Sequence, residues 1–114
     1  MLHEMTLFPK PYASIASGQK TIELRLYDEK RQSIHIGDQI RFTNSEDASK
    51  STLCEVVQLH VFESFAELYE TLPLLKCGYT SEDVDNAHPD DMLTHYSKEK
   101  QAQYGVVGIK LKRI

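Results

Sequence analysis

The stretch that decides the fold is "SGQKTIELRLYDEKRQSIHIGDQIRF", from Ser17 to Phe42. Its segment "TIELRLY" alternates apolar and polar residues, which is the two-residue period of a β-strand. Ile22, Leu24 and Leu26 therefore fall on one face, and the opposite face carries an acid and a guanidinium. A strand that is able to line a core is not expected to place so much charge at one end, and this conflict requires an explanation.

Strand-like segments recur on both sides of this stretch. They occupy residues 1–8, 34–44, 52–61 and 104–114, and the polar run "SEDASKS" at 45–51 predicts a hairpin loop. Strands that follow one another without crossover helices form antiparallel sheets. The sequence therefore predicts an α+β fold: a small, mostly antiparallel β-barrel of about five to six strands with short helices at its rim.

Short helices are predicted between these strands. The proline-containing segment after the first strand ends at Gly18, a residue suited to the left-handed position after a helix. Ser64, followed three positions later by Glu67, forms a capping-box pattern at the start of a second helix. The polar segment 78–105 is expected to hold one or two more helices, and "DEKRQS" at 28–33 is expected to be a loop.

The length and the net charge of the chain limit the classes of function. The chain has 114 residues, which is the size of one domain, and we expect a single monomeric domain over 1–114. Its formal net charge is −4. Duplex-binding proteins are usually basic, because phosphate neutralisation supplies most of their affinity. The charge argues against non-specific duplex binding and leaves a small charged ligand or a single flipped nucleotide as the expected partner.

Metal, cofactor and membrane signals are weak. Cys54 and Cys77 lack a CxxC companion. His88, His95 and Asp91 are candidate ligands, but beyond the helical pair Asp91 and His95 the spacing defines no third ligand, so no metal site is expected. No Gly-rich phosphate loop opens a helix, and no cofactor is expected. The sequence carries no signal-peptide pattern and no long apolar run, so we expect a cytoplasmic protein that does not enter membranes.

The charged face of the central strand has two interpretations. Glu23 and Arg25 are two positions apart, so they face the same way and can form an ordinary surface ion pair worth roughly 0–1 kcal/mol. Alternatively the face lines a cleft, where a paired carboxylate and guanidinium orient a polar ligand. Lys20 follows the Gly18 turn and can aim its amine at the same cleft. The pattern by itself leaves both interpretations open.

The segment "SGQKTIELRL" resembles the ASCH family, which has a Gly-x-Lys-x-x-Glu-x-Arg pattern. Gly18, Lys20, Glu23 and Arg25 match that pattern position for position. The likeness extends through "LYDEKRQSIHIGDQIRF", "VFESFAELYE" and "YSKEKQAQYGVVGIKL". It implies a PUA-like β-barrel in which the charged residues line a cleft that meets RNA or a nucleotide.

The resemblance implies a binding module in which cationic and aromatic side chains hold RNA or a nucleotide-like molecule. Lysine and arginine would contact phosphate or a base edge, and a tyrosine would stack on a base, as suits single-stranded RNA. The ligand-binding residues expected on this interpretation are Arg25, Lys20, Tyr27, Lys30, Arg31, Ser97 and Tyr104.

The alternative implied by the resemblance is a hydrolase. One small family member removes the acetyl group from acetylcytidine with a lysine, a threonine and a glutamate, and others have been linked to ribonuclease action. The lysine matches Lys20, whereas Glu23 stands where the threonine would align, and Thr21 projects onto the same face. Glu82 and Glu99 are candidates for the glutamate. The catalytic residues on this interpretation are Lys20, Glu23 and Thr21.

Overall fold

The computed structural model describes residues 1–114 and contains one five-stranded sheet. Its strands are β1 (Leu2–Leu7), β2 (Ile22–Leu26), β3 (Gln39–Asn44), β4 (Asp47–Phe62) and β5 (Val106–Arg113). The helices are α1 (Pro9–Ser17), α2 (Glu29–Gln32), α3 (Phe65–Thr71) and α4 (Lys98–Tyr104), and 3₁₀ turns span Leu74–Lys76, Val84–Asn86 and Pro89–Thr94. No helix has the length and apolar character needed to cross a membrane.

The sheet curls into a half-barrel with β1 and β2 at its two edges. The strand order is β1-β3-β4-β5-β2, and every pair is antiparallel except β1 with β3. That pair is parallel because α1 and β2 intervene and bring the chain back in its original direction. The Nη2 atom of Arg25 reaches from β2 to the carbonyl oxygen of Thr6 on β1 at 3.4 Å. The predicted α+β, mostly antiparallel barrel is confirmed, with an opening between its edge strands.

Two local predictions were wrong. The segment 45–51 is not a loop, because only Ser45 and Glu46 form the turn and β4 already begins at Asp47. Polar side chains are tolerated there because this part of β4 is largely exposed, while Ser51 and Asp47 pair with Thr43 and Asn44 of β3 across a register shift. The "DEKRQS" segment contains α2, since the Asp28 carboxylate accepts a hydrogen bond from the backbone N–H of Arg31 and caps that helix.

Two helix predictions were right. Gly18 follows α1 with φ at +87°, and its N–H donates to the carbonyl oxygen of Ile15. The Ser64 side chain accepts from the N–H of Glu67 at the start of α3. These caps fix the end of α1 just before the charged strand, so the chain enters β2 at a defined place.

The core inside the curl is one apolar cluster drawn from four strands and α1. Ile40, Phe42, Cys54, Val56 and Ile109 have no exposed surface. Burying such side chains is the main source of stability, at roughly 25 cal/mol per Å² of apolar surface. The cluster fills the concave side of the sheet and makes it a rigid support.

A second apolar cluster lies on the outer side of the sheet, under α3. It joins Ile22, Leu24 and Leu26 of β2 to Phe65 and Leu68 of α3. The apolar face of β2 is thus covered from outside, and its charged face looks towards the concave side. The apolar side chains of this short edge strand are therefore buried under α3, while its charged side chains lie on the same face of the sheet as the inner core.

Candidate functional site

A cleft of about 470 Å³ opens between the two edge strands of the half-barrel. Its walls come from the end of β1, the first turns of α1, the charged face of β2, and α3 with the polar segment 77–96 that follows it. The sheet leaves this gap because β1 and β2 do not pair with each other. The cleft therefore lies at the open seam of the barrel, beside the charged face of β2.

Glu23 is the buried acid in the wall of this cleft. Its side chain is 3% exposed, and in the register of the sheet it stands opposite Ile109, a residue of the inner core. One carboxylate oxygen lies 2.8 Å from Nζ of Lys20, and the other accepts from Nε of Arg25 at 3.0 Å. Burial opposes the charge, but the two cations outweigh it and hold the pKa of Glu23 below its ordinary value.

Lys20 reaches Glu23 from just outside the strand. Its backbone N–H donates to the carbonyl oxygen of Ser14, so the residue belongs to the turn after α1 and precedes β2. Its aliphatic stem passes Gly78, where an added Cβ would lie 3.4 Å from the lysine Cδ. Gly78 also has φ at +115°, a conformation that favours glycine. The close approach leaves the Lys20 side chain 11% exposed, with its ammonium directed at the acid.

Arg25 completes the group from the next position on the same face. Its guanidinium is 16% exposed and bridges the acid to the edge of β1. Burial lowers the pKa of an arginine, but the carboxylate of Glu23 and the phenol of Tyr96 raise that of Arg25 above its ordinary value. The guanidinium is thus a permanent cation that ties the two edge strands together across the seam.

The opposite wall carries a chain of three hydrogen-bonded side chains. The hydroxyl oxygens of Tyr69 and Tyr79 are 2.7 Å apart, and the Tyr79 hydroxyl donates to Oδ2 of Asp91 at 2.6 Å. Burial and the bond to this carboxylate raise the pKa of Tyr79 far above its ordinary value. The cleft therefore has cations on the β2 side and oxygen atoms on the α3 side.

Comparison with known proteins identifies the family. The sequence profile of the ASCH domain matches residues 5–114. The chain belongs to the ASCH family. No curated protein matches it. The sequence pattern around Lys20, Glu23 and Arg25 therefore indicated the correct family.

Two solved structures resemble this ASCH domain over its whole length. The hypothetical protein PH0355 is 33% identical, with a TM-score of 0.80 and 100% of each chain covered. The protein PF0455 from Pyrococcus furiosus is 31% identical, with a TM-score of 0.76, and the match covers 100% of this chain and 98% of that one. Neither of these two proteins is named for an activity.

A third structure supports the fold alone. The ASCH protein from Zymomonas mobilis is 12% identical with a TM-score of 0.67, and the match covers 97% of this chain and 66% of that one. A likeness at this identity indicates a shared architecture. The α+β half-barrel is consequently the ASCH, PUA-like fold that the resemblance implied.

Of the residues considered for catalysis, Lys20 and Glu23 meet in the cleft of the ASCH domain and Thr21 does not line it. The backbone of Thr21 is instead tied to neighbouring segments, through its N–H to Lys76 and its carbonyl oxygen to Leu111. Glu82 and Glu99 are both exposed and lie outside the cleft. The geometry brings together the lysine and the acid but no threonine.

Most residues considered for ligand binding lie away from the cleft. Tyr27 packs against the inner core, and Ser97 caps α4 by accepting from the N–H of Lys100. Lys30 and Arg31 lie on α2, where the guanidinium of Arg31 bonds to the Asp28 that caps the helix. Their roles in binding stay predictions.

Tyr104 lies in a separate groove between α3 and α4. Its ring carries the ammonium of Lys100 at 5.7 Å from the centroid, a spacing typical of a cation–π contact. In the cleft itself, Tyr96 is the aromatic beside Arg25, and it stacks on Phe65 with ring centroids 5.9 Å apart. Tyr96, and not Tyr104, therefore provides aromatic surface beside Arg25 in the cleft.

Sequence reasoning did not assign Tyr69, Tyr79 or Asp91 to this site. Asp91 had been considered only with His88 and His95 as a metal ligand, and no three potential metal ligands are grouped in the structure. Tyr69 lies on α3 and Tyr79 in the irregular segment after it, so no common period links them. The sequence offered no signal that would have grouped these three residues.

Proposed function

We propose that this ASCH domain binds a single nucleotide-like ligand, such as one unpaired nucleotide of an RNA, with its base in the cleft between β1 and β2. The observation that carries the proposal is Glu23, a carboxylate that lines the cleft, is only 3% exposed and is paired on both oxygens. Replacing a buried ion pair by apolar side chains is often neutral or stabilising. A buried Lys20–Glu23–Arg25 group beside a cleft is therefore better explained by ligand binding than by stability.

The size of the cleft supports a ligand of this class. A volume of about 470 Å³ lies within the usual range of roughly 300–1,000 Å³ for small-molecule sites. A nucleoside fits such a space, whereas a duplex does not. The seam between the edge strands would admit the base and leave the sugar and phosphate at the surface.

The charge of the cleft favours a base over a polyphosphate. Cationic and anionic side chains line it in equal number, so their formal charges cancel. The cations are Lys10, Lys20 and Arg25, and the anions are Glu23, Asp83 and Asp91. A site for several phosphates would carry a surplus of positive charge. A neutral base with donors and acceptors on its edges is the better match.

Aromatic side chains supply the apolar part of the recognition. Tyr69, Tyr79 and Tyr96 all line the cleft and remain partly exposed. Single-stranded RNA is recognised by splaying out bases, stacking them on aromatic rings and hydrogen-bonding their edges. Stacking contributes roughly 1–3 kcal/mol per base. These rings and the cations opposite them provide both kinds of contact.

The hydrolase alternative has less support. Both oxygens of Glu23 are occupied by cations, so neither is free to take a proton from an attacking water. The hydroxyl of Thr21 does not line the cleft. The thiol of Cys77 does, but burial raises its pKa to about 11, which disfavours the reactive thiolate at neutral pH. Binding without turnover is therefore the function that we propose.

The test is titration of the protein with nucleosides, mononucleotides and short single-stranded RNA, followed by calorimetry and NMR shift mapping. Wild type is expected to bind, with shifts around the cleft. Lys20→Ala should weaken binding about tenfold or more, because it removes a charged donor. Lys112→Ala is the matched control, since Lys112 is exposed on β5 away from the cleft.

Two results would contradict the proposal. One is equal affinity of wild type and a folded Lys20→Ala variant, and the other is the absence of binding by wild type. Acetylcytidine is included as a ligand so that turnover can be detected by chromatography. Release of acetate that stops in Lys20→Ala would establish the hydrolase instead.

A further inference from the structure

The chain Tyr69–Tyr79–Asp91 has a fixed direction. A tyrosine hydroxyl has one proton to donate, whereas an ionised carboxylate can only accept. Asp91 accepts from the hydroxyl of Tyr79 and from the backbone N–H of His88, and these bonds hold its pKa below the ordinary value, so it is ionised at neutral pH. The single proton of Tyr79 is consequently committed to Asp91.

The direction of the next bond follows from this. The Tyr79 oxygen lies 2.7 Å from that of Tyr69 and has no further proton, so Tyr69 must be the donor of that bond. The proton of Tyr69 is then also committed. Towards a ligand, the hydroxyl of Tyr69 can only accept. Oδ1 of Asp91 makes no hydrogen bond within the protein and is a second free acceptor, so the Tyr69–Tyr79–Asp91 chain offers only acceptors to a ligand.

The opposite side of the cleft offers hydrogen-bond donors. Lys20 and Arg25 are donors with no acceptor of their own, and the one acid between them, Glu23, has both oxygens occupied. A ligand that lies between Lys20 and Arg25 on one side and the Tyr69–Tyr79–Asp91 chain on the other meets donors from the first group and acceptors from the second. Hydrogen-bonding sites of this kind discriminate strongly, because a mismatched ligand leaves buried polar groups unpaired.

We propose that the Tyr69–Tyr79–Asp91 chain determines specificity by requiring a hydrogen-bond donor on the ligand, so that the cleft prefers nucleosides with an exocyclic amino group to their oxo counterparts. This inference rests on the proposed function and names the ligand class for the same cleft. An amino group donates to Tyr69 or Asp91, while ring nitrogens and carbonyl oxygens of the same base accept from Lys20 or Arg25. An oxo group in place of the amine would face acceptor oxygens with no proton between them.

The test compares two matched nucleoside pairs, adenosine with inosine and cytidine with uridine. In each pair an oxo group replaces the amino group and the ring nitrogen beside it changes from an acceptor to an N–H donor, so the hydrogen-bonding pattern of that edge is reversed. Dissociation constants measured for wild type by calorimetry should favour the amino member of each pair by about tenfold or more. A purely steric or stacking site would not distinguish the members, because their shapes are nearly the same.

Variants of the Tyr69–Tyr79–Asp91 chain test whether the direction of its hydrogen bonds, and not the shape of the cleft, determines the preference. In Asp91→Ala the Tyr79 hydroxyl loses its acceptor and is free to donate to Tyr69, so Tyr69 regains a proton for the ligand. The amino preference should then fall to within about threefold. Tyr69→Phe removes one acceptor, so it should weaken binding of the amino members and leave the oxo members nearly unchanged. Asp90→Ala is the matched control, since Asp90 neighbours Asp91 but does not line the cleft.

The outcomes distinguish this inference from the proposed function. Nucleoside binding without an amino preference would overturn the inference and leave the proposed function intact. An amino preference that survives in both folded variants would also overturn it. Absence of any nucleoside binding would overturn both. Asp91 is exposed and Tyr69 partly exposed, so both variants are expected to fold, which circular dichroism would check.

Discussion

At the residue scale, Glu23 connects the stability of this ASCH domain to its candidate site. It is a carboxylate with 3% exposure on the concave face of β2, and its charge is tolerated because Lys20 and Arg25 bind one oxygen each. Removing one partner of such a group leaves the others uncompensated. The residue that shapes the site is consequently also one on which folding depends.

Glu23→Gln is expected to lower the free energy of unfolding by about 3 kcal/mol, because two enclosed cations lose their counter-charge. Chemical denaturation at neutral pH would measure this loss. Glu4→Gln is the matched control: Glu4 pairs with Arg41 at the surface with a 67% exposed side chain, and its loss should cost about 0–1 kcal/mol. Equal effects of the two substitutions would contradict the buried geometry.

The lowered pKa of Glu23 predicts that the free energy of unfolding depends on pH. Burial opposes the charge of Glu23, but its cationic neighbours hold the pKa below the ordinary 4.5. A carboxyl group with a lowered pKa in the folded state stabilises the fold above its unfolded pKa and loses that contribution as the pH falls through the folded value. The free energy of unfolding should therefore decrease below about pH 4.5, and more steeply in wild type than in Glu23→Gln. If the free energy of unfolding fell with pH equally in wild type and Glu23→Gln, the lowered pKa of Glu23 would be contradicted.

At the scale of elements, the site exists because short connections hold β2 against its neighbours. Gly105 joins α4 to β5, and its φ of +72° with ψ of −170° lies in a region nearly exclusive to glycine. An added Cβ there would lie 2.8 Å from the carbonyl oxygen of Phe62. The close turn sets where β5 begins, and β5 in turn carries β2 by backbone pairing.

Gly105→Ala is expected to destabilise the protein by about 2–3 kcal/mol, since backbone strain and a steric clash act together. Thermal and chemical unfolding would measure the change. Gly37→Ala is the control, because Gly37 also has positive φ, at +96°, but an added Cβ would meet nothing within 4 Å. Its cost should be smaller, and a larger cost at Gly37 than at Gly105 would refute the role assigned to the turn.

At the scale of the whole molecule, charge limits the length of nucleic acid that the protein can hold. The net charge is −4, and acidic side chains balance the basic ones even inside the cleft. Each phosphate contact in single-stranded nucleic acid contributes roughly 0.7 to the slope of log affinity against log salt concentration. A protein that recognises one nucleotide makes few such contacts.

We therefore expect affinity for single-stranded RNA to stop rising beyond a few nucleotides, with a salt slope of about 2 or less. Fluorescence anisotropy with oligonucleotides of increasing length, at several salt concentrations, would measure both quantities. A random-sequence duplex of the same length serves as the control and should bind weakly. Affinity that keeps rising with length, or a steep salt slope, would indicate an extended basic surface and contradict recognition of a single nucleotide.

Several features could be predicted from the sequence because they depend on local physics. The alternation in "TIELRLY" indicated β2, and the Gly18 and Ser64 signals located the end of α1 and the start of α3. Such signals act over a few residues, so they survive without knowledge of the fold. The start of β4 was missed because its residues are polar, and its pairing with β3 overrides that composition.

The sequence by itself determined which side chains of β2 share a face, and with the neighbouring lysine it indicated the family. Only the tertiary structure decided what covers each face: α3 lies over Ile22, Leu24 and Leu26, while the charged face borders the open seam. The Tyr69–Tyr79–Asp91 wall likewise depends on the tertiary structure. The physical reason is that periodicity fixes which face of one strand each side chain occupies. A cleft, in contrast, is formed by segments that share no common period and are brought together by packing.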